Sequence, residues 1–384
     1  MFSEAERQLP QLRIGEYVSR YPVILGGMSI GTGGAELAAA VANAGGMGTI
    51  GGVGRGFLTA NRKLARSFRD ADCRAIENEI NLAREISPDG ILGVNVLMAA
   101  RWHKPVIRAA VATGGERSKI NYLVVGAGFH EGVPQWIADH PEVALILMAS
   151  ADLAAILMTK AWWREGKGRL PDAIVLEAPK DAGGHLGASR DKVYRQTLTL
   201  ESTVPSLRKR LAEHGWEIPI IGAGGVWDRA DIDRVLGWGG NGVQMATRFV
   251  CTPECAAPES FKQMYLQAKR VGPMREGYTN GDIVLVDSPV GYPGRAIYNK
   301  FLHELKEGLV HDRCKVNCLT RCLCRESKCG SHFCIIDRLV KAFEGDVENG
   351  LVFCGSNAYR SREQGIVPVK QILAELCTAG PNDT

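Results

Sequence analysis

The sequence predicts a (β/α)8 TIM barrel followed by a C-terminal cysteine-rich helical module. Three observations carry this. Eight short, β-branched, nearly all-apolar runs alternate with amphipathic stretches between about residue 20 and residue 270, the alternation that builds a parallel sheet with crossover helices. The runs lack polar alternation, as strands covered on both faces do. Beyond about residue 272 the repeat stops, and six of the eleven cysteines crowd between Cys314 and Cys334. With 384 residues, 45% hydrophobic and 23% charged, the chain has the apolar content for one barrel of about 250 residues plus an appendage. The division is expected at 1–272 for the barrel and 273–384 for a helical extension packed on it.

Strands are expected at Pro22–Leu25, Met47–Gly51, Ile91–Leu97, Ile120–Val125, Ala144–Met148, Ala173–Leu176, Ile218–Ile221 and Gly242–Met245. Apolar residues at helical spacing mark Ala35–Ala44, Leu153–Trp163, Leu207–His214 and Ala230–Leu236. Asp152 and Ser206 stand just before the second and third of these, where a side-chain oxygen accepts bonds from free backbone N–H groups. Glu259, after Pro258, suits the first turn of a helix through Phe261–Ala268. A Gly/Pro-containing stretch, Gly272–Gly294, then leads to helices at Ala296–Leu309, Ile335–Phe343 and Lys370–Cys377.

Composition excludes several functions. The 46 basic and 42 acidic residues leave a net charge of +4, too small and dispersed for a nucleic-acid partner, so a small-molecule substrate is expected. Residues Met1–Arg20 carry Glu4, Glu6, Arg7, Arg13 and Glu16 and lack the apolar core of a secretory signal, which points to the cytoplasm. The longest apolar run, Val143–Thr159, is broken by Asp152, so no membrane partner is expected. A homo-oligomer is compatible with the chain, which leaves its oligomeric state open.

In a barrel the ligand sits at the C-terminal ends of the strands. After the first strand, Gly26-Gly27-Met28 opens a run of glycines that lets a flat ring or a phosphate approach the main chain; a merely tight turn is the alternative. After the seventh comes Gly222-Ala223-Gly224-Gly225, and at the end of the eighth Gln244-Met245-Ala246-Thr247-Arg248, the usual phosphate position of such barrels. The sixth strand leads into Glu177-Ala178-Pro179-Lys180-Asp181-Ala182-Gly183-Gly184-His185-Leu186-Gly187. There His185 is the candidate proton-transfer residue, because imidazole titrates near neutral pH. Asn95 offers both donors and an acceptor to the edge of a heterocycle, or bonds nearby backbone. No Gly-x-Ser-x-Gly or His-Glu-x-x-His motif supports a serine hydrolase or a zinc protease.

Cys314, Cys318, Cys322, Cys324, Cys329 and Cys334 fit neither the paired C-x2-C zinc pattern nor a bacterial ferredoxin run. Any metal they bind is unknown from sequence. An odd cysteine count disfavours a secreted disulfide framework, leaving reduced structural or redox-active thiols and a metal or iron–sulfur site as the two readings.

Together these loops resemble the nitronate monooxygenase (2-nitropropane dioxygenase) family of FMN-dependent barrel enzymes, and their relatives the FMN-containing enoyl-acyl-carrier-protein reductases. The resemblance rests on Pro22-Val23-Ile24-Leu25-Gly26-Gly27-Met28, Gly93-Val94-Asn95, Asp181-Ala182-Gly183-Gly184-His185-Leu186-Gly187, Gly222-Ala223-Gly224-Gly225 and Gly242 to Phe249. It implies that Gly26, Gly27, Met28, Asn95, Gly183, Gly184, Gly222, Gly224, Gly225, Gln244, Met245, Ala246 and Thr247 surround FMN, and that His185 is the catalytic base. It departs at Leu25, where the family often has Gln. The activity implied is oxidation of nitronates or nitroalkanes with dioxygen. The alternatives are an NAD(P)H-dependent flavin reductase acting on an enoyl thioester or quinone, and a non-enzymatic flavin-binding scaffold.

Overall fold

The computed structural model describes residues 8–58, 67–128, 130–270, 277–326 and 332–377. An antiparallel hairpin, β1 (Leu12–Ile14) and β2 (Tyr17–Ser19), precedes the barrel. All eight expected strands then form within one or two residues of their expected ends. They are β3 (Val23–Leu25), β4 (Gly48–Gly51), β5 (Leu92–Leu97), β6 (Tyr122–Gly126), β7 (Ala144–Ala149) and β8 (Ala173–Glu177). The two-residue β9 (Gly184–His185) intervenes before β10 (Ile220–Ala223) and β11 (Gly242–Met245). The order β3-β11-β10-β8-β7-β6-β5-β4 is parallel throughout, and a bridge from Ile24 to Met47 all but joins its two ends. This is a (β/α)8-like, nearly closed barrel with flanking helices.

Residue alternation explains why the runs read as continuously apolar. Ile24, Val124, Ile146, Val175 and Ile221 fill the interior, together with Leu12 and Ile14 of the N-terminal hairpin. Their neighbours Val23, Leu25, Leu123, Leu145, Ile174 and Ile220 face outward onto Leu37, Ile80, Ile107, Leu207 and Ile232 of the helices. Each fully buried aliphatic side chain contributes about 1.5–3 kcal/mol. Inside the barrel, the Tyr122 hydroxyl donates to the Gly48 carbonyl at 2.8 Å and bonds Thr49 Oγ1 at 2.7 Å, so the burial of that hydroxyl leaves it satisfied.

Helices form at Ala35–Asn43, Asp152–Glu165, Leu200–Glu213, Arg229–Gly237 and Glu259–Leu266. Two expected caps are displaced. Asp152 is the first helical residue rather than the cap, and its carboxylate accepts instead from Arg210 Nε at 2.8 Å and from Ser206 Oγ. Ser206 lies inside its helix, which starts seven residues before Leu207 because Thr199 and Ser202 form a capping box there, with Pro205 carried inside. Two helices without an expectation, Phe68–Ile86 and His103–Ala112, complete the outer layer between β4 and β6.

The C-terminal part departs further from expectation. Within the stretch read as a linker lies β12 (Ile283–Asp287), antiparallel to β13 (Pro293–Ile297), and β13 pairs in turn with β9. The helix expected over Ala296–Leu309 therefore shrinks to Lys300–Lys306, since Ala296 and Ile297 are strand and Asn299 Oδ1 caps the helix at Leu302 N, 3.1 Å away. The helices Ile335–Phe343 and Val369–Cys377 form as expected.

No separate cysteine-rich module appears. Ala342, Val352, Ala358, Ile372 and Leu373 join the outer core of the barrel, and Phe301, Phe333, Ile335 and Leu351 pack with Ile30 and Phe57 of the barrel loops. Cys314, Cys318, Cys322, Cys324 and Cys334 are free thiols, and Cys329 lies outside the described residues. Among the described residues no three His, Cys, Asp or Glu side chains are grouped as metal ligands, and no helix is long and apolar enough to cross a membrane.

Candidate functional site

The C-terminal ends of the strands surround a cavity. Of the residues expected to act there, Gly26, Gly27, Met28, Asn95, Gly183, Gly184, His185, Gln244, Ala246 and Thr247 line it. Four do not. Gly222 faces outward, where an added Cβ would meet Val235 and Leu200, and Met245 belongs to the outer core. Gly224 and Gly225 have φ of +90° and +82° and shape the loop behind the cavity, where a Cβ on Gly224 would lie 2.8 Å from the Ala178 carbonyl.

The glycine at 27 is required by a close approach: an added Cβ would sit 2.3 Å from Cβ of Asn95, so the loop after β3 lies flat against the end of β5. On the neighbouring strand, Gln244 is 6% exposed and its Oε1 has no hydrogen-bond partner among the described residues. A buried acceptor without a donor costs about 1–3 kcal/mol. Its presence at the cavity marks a place where a ligand donor is expected.

His185 is half-buried. Its Nε2 lies 2.9 Å from Ser288 Oγ, and its ring meets Phe353 edge-on with centroids 5.5 Å apart. Burial pushes the imidazole down to about 4, so the ring is neutral at physiological pH. Glu177, at the end of β8, lines the same cavity. Burial pushes its carboxyl up to about 7, with the Arg295 guanidinium pulling the other way. That cation is directed elsewhere: its Nη1 donates to the Ala182 carbonyl and its Nη2 to the Lys180 carbonyl at 2.6 Å.

Sequence reasoning named Glu177 only as part of a motif, and it missed Ser288, Arg295, Phe353 and Cys354. It also missed the segment Gly355-Ser356-Asn357, which closes one side of the site. There Gly355 N donates to Thr247 Oγ1 at 2.9 Å, Ser356 Oγ to Asp181 Oδ1 at 2.9 Å and Asn357 Nδ2 to the Gly225 carbonyl at 2.7 Å. No local signal marks these residues, although Cys354-Gly355-Ser356-Asn357 is a compact polar, glycine-bearing run in an otherwise helical region. Arg248 turns away from the loops, bonding the Trp227 carbonyl at 2.7 Å, Gln364 and Glu375. Lys180 and Asp181 sit beside the cavity without lining it.

Comparison with known proteins places the chain in a family. The family model described as nitronate monooxygenase matches residues 13–379. Among curated relatives, a probable nitronate monooxygenase of Staphylococcus saprophyticus is 27% identical over 320 residues, covering 75% of this chain and 78% of that protein. One from Staphylococcus haemolyticus is 28% identical over 315 residues, with the same coverage. Among solved structures, FabK from Thermotoga maritima superposes with a TM-score of 0.67 at 22% identity, covering 93% of this chain and 92% of that one. Nitroalkane oxidase from Streptomyces ansochromogenes gives 0.66 at 18% identity, covering 93% and 95%. These two show the shared fold. The chain belongs to the nitronate monooxygenase family.

Proposed function

We propose that the protein is an FMN-dependent oxidase of nitroalkanes and nitronates that uses dioxygen, with the C-terminal residues 273–384 serving as a cap over the barrel 1–272. The observation that carries this reading is the pairing, in one largely apolar cavity, of an unsatisfied acceptor suited to a flavin with two side chains suited to a carbon acid. Gln244 Oε1 offers a hydrogen bond to a donor on the flavin, and Gly26, Gly27, Met28 and Asn95 give its ring a side-chain-poor wall. Ala246 and Thr247 stand where its phosphate would approach, with Gly224 and Gly225 shaping the adjoining loop. When bound, FMN would accept electrons from the substrate and pass them to dioxygen.

The chain's own residues bind and orient the substrate and handle its proton. His185, neutral and steadied by Ser288, is the proposed catalytic partner of the nitro group, which one ring nitrogen can contact while the other stays with the serine. The apolar walls exclude water, and exclusion strengthens each such contact. A second reading, reduction of an enoyl thioester or quinone with NAD(P)H as donor, draws on one observation. The face of the Ile335–Phe343 helix toward the cavity, Ile335, Ile336, Leu339 and Phe343, suits an extended apolar group.

The test is direct. Purified protein should be yellow and release FMN on denaturation. Oxygen consumption with a nitroalkane should exceed NADH oxidation driven by an enone or quinone. Recovery of FAD, or failure to take up FMN, refutes the cofactor assignment, and the reverse order of rates refutes the oxidase reading.

A further inference from the structure

We propose that Asp72 and Glu79, two carboxylates on the helix Phe68–Ile86, are positioning residues that set the width of the slot in which the flavin ring lies. The inference rests on the flavin reading above and concerns the walls of that site, not the groups that touch the substrate.

Asp72 and Glu79 stand about two helical turns apart and so share one face of the helix. That face meets the loops following β3, β4 and β5 at once. Asp72 is 1% exposed. Its Oδ1 accepts from Gly54 N at 3.0 Å and from Gly56 N at 2.7 Å, and its Oδ2 from Gly54 N at 3.0 Å and from Trp102 Nε1 at 2.8 Å. Gly54 and Gly56 belong to the loop after β4, whose Val53 and Phe57 line the cavity, and Trp102 stands two residues beyond Ala100, which lines it after β5. Glu79 accepts from Ala35 N at 2.7 Å and pairs with Arg55 Nη2 at 2.7 Å, while Arg55 Nη1 donates to the Gly31 carbonyl at 3.4 Å. Gly31 and Ala35 end the loop that begins with Gly26-Gly27-Met28 after β3.

One helix thus holds three walls of the cavity through charge-assisted bonds. A buried carboxylate is tolerated only while its donors stay in place, because an uncovered charge in an apolar interior costs far more than a lost apolar contact. The loop after β4 therefore cannot lift from the helix without stranding Asp72, and the loop after β3 cannot move without disturbing the Arg55–Glu79 pair. Gly56 shows how closely the first of these is seated, since an added Cβ would collide with the helix backbone at Asp72. The loops are also tied to one another: Gly51 N donates to the Gly33 carbonyl at 2.9 Å and Gly52 N to the Asn95 carbonyl at 2.8 Å. A shift after β4 is passed to the Gly26–Gly33 turn and to Asn95, the two sides proposed for the ring. The barrel itself is closed by other means, since β4 pairs directly with β5 from Gly48 opposite Leu92 to Gly51 opposite Asn95. The work of the two carboxylates therefore falls on the loops.

Asp72→Asn keeps the side-chain volume but turns an N–H group toward one of its donors. It should weaken FMN binding roughly 10- to 100-fold and, at saturating FMN, change the visible circular dichroism of the bound flavin. Adding Trp102→Phe removes the donor left facing a donor and should restore part of the affinity. Glu79→Gln should act in the same direction through the loop after β3. In the FMN-free protein, hydrogen exchange should quicken over residues 52–57 in Asp72→Asn and over residues 30–35 in Glu79→Gln, while β8, across the barrel, keeps its wild-type rate. Trp102→Phe alone, which leaves Asp72 its two backbone donors, carries the same test if Asp72→Asn does not fold. A merely structural pair would lower the urea midpoint and leave FMN affinity and the dichroism at saturation at wild-type values. That outcome overturns the proposal, as does exchange that quickens evenly over the whole barrel. A wild-type protein that takes up no FMN overturns the flavin reading and this proposal together. One that takes up FMN, with both carboxylate variants matching it in affinity and dichroism, overturns this proposal alone.

Discussion

Replacing Gln244 with leucine should move two measurements in opposite directions. Gln244 Oε1 is buried without a partner among the described residues, and an unsatisfied buried acceptor costs about 1–3 kcal/mol. Leucine has a similar volume and no such group, so the FMN-free protein should gain stability within that range, read as a higher urea midpoint at unchanged slope. The same substitution removes the acceptor that the flavin is proposed to use and leaves a flavin donor buried without one. That loss, again about 1–3 kcal/mol, corresponds to roughly 5- to 150-fold weaker FMN binding, measured by fluorescence titration. A purely structural glutamine would behave differently: its loss would destabilise the FMN-free protein and leave FMN affinity near the wild-type value. That outcome refutes the assignment.

Two further predictions concern stability. Arg338 is 8% exposed, binds both oxygens of Asp312 at 2.6 and 2.8 Å, donates to the Asn349 carbonyl at 2.9 Å and lies 4.4 Å above the Phe301 ring. Arg338→Ala strands a largely buried carboxylate and should cost about 3–5 kcal/mol; adding Asp312→Ala should recover part of it, and strict additivity in urea unfolding would deny the coupling. The second uses pH. Glu177, raised from its ordinary 4.5 to about 7, stabilises the fold fully below pH 4.5, and the contribution is lost as pH rises through 7. His185, lowered from 6.5 to about 4, contributes fully above pH 6.5, and the contribution is lost as pH falls through 4. The two trends oppose one another in the wild type. Between pH 4.5 and 6.5, Glu177→Gln should therefore gain stability more steeply with rising pH, and His185→Ala should shift the other way. Parallel stability curves for the two variants would contradict the burial assigned to both groups.

The barrel was legible because its physics is local. A strand enclosed on both faces must be apolar at every position, and Ala144–Ala149 or Ala173–Leu176 announce this without reference to anything else. The glycines at the strand ends were legible for the same reason. What failed was what depends on partners. The Phe68–Ile86 helix is rich in charge and carries only a narrow apolar stripe, with Ala75, Ile76, Ile80 and Ala83 buried. Ala296 and Ile297 become strand because β12 and residue 353 pair with them, an arrangement that helical spacing of the same residues does not reveal. At the site, Ser288 meets His185 across 103 residues of sequence and Gly355 meets Thr247 across 108. Glu177 was visible as a residue but not as a functional candidate, since its environment is supplied by a hairpin read as linker and helix.

That hairpin and the strand segment beside it enclose the two titratable side chains at the strand end, Glu177 and His185. Ser288, Arg295, Phe353 and Cys354 all come from the C-terminal part, and they close over a strand end that would otherwise be open to water. Solvated, the carboxyl would sit near its ordinary 4.5 and the imidazole near its ordinary 6.5. Burial inverts the order. Phe353→Ala opens the wall against His185 and should let water reach both groups, moving the imidazole up and the carboxyl down, each toward its ordinary value. In the same variant the infrared band of the protonated Glu177 carboxyl should titrate below 7. The His185 ring, followed by NMR, should titrate at higher pH than in the wild type. A Phe353→Ala protein that stays folded, binds FMN and shows neither movement would mean that the cap does not set the basicity of these groups.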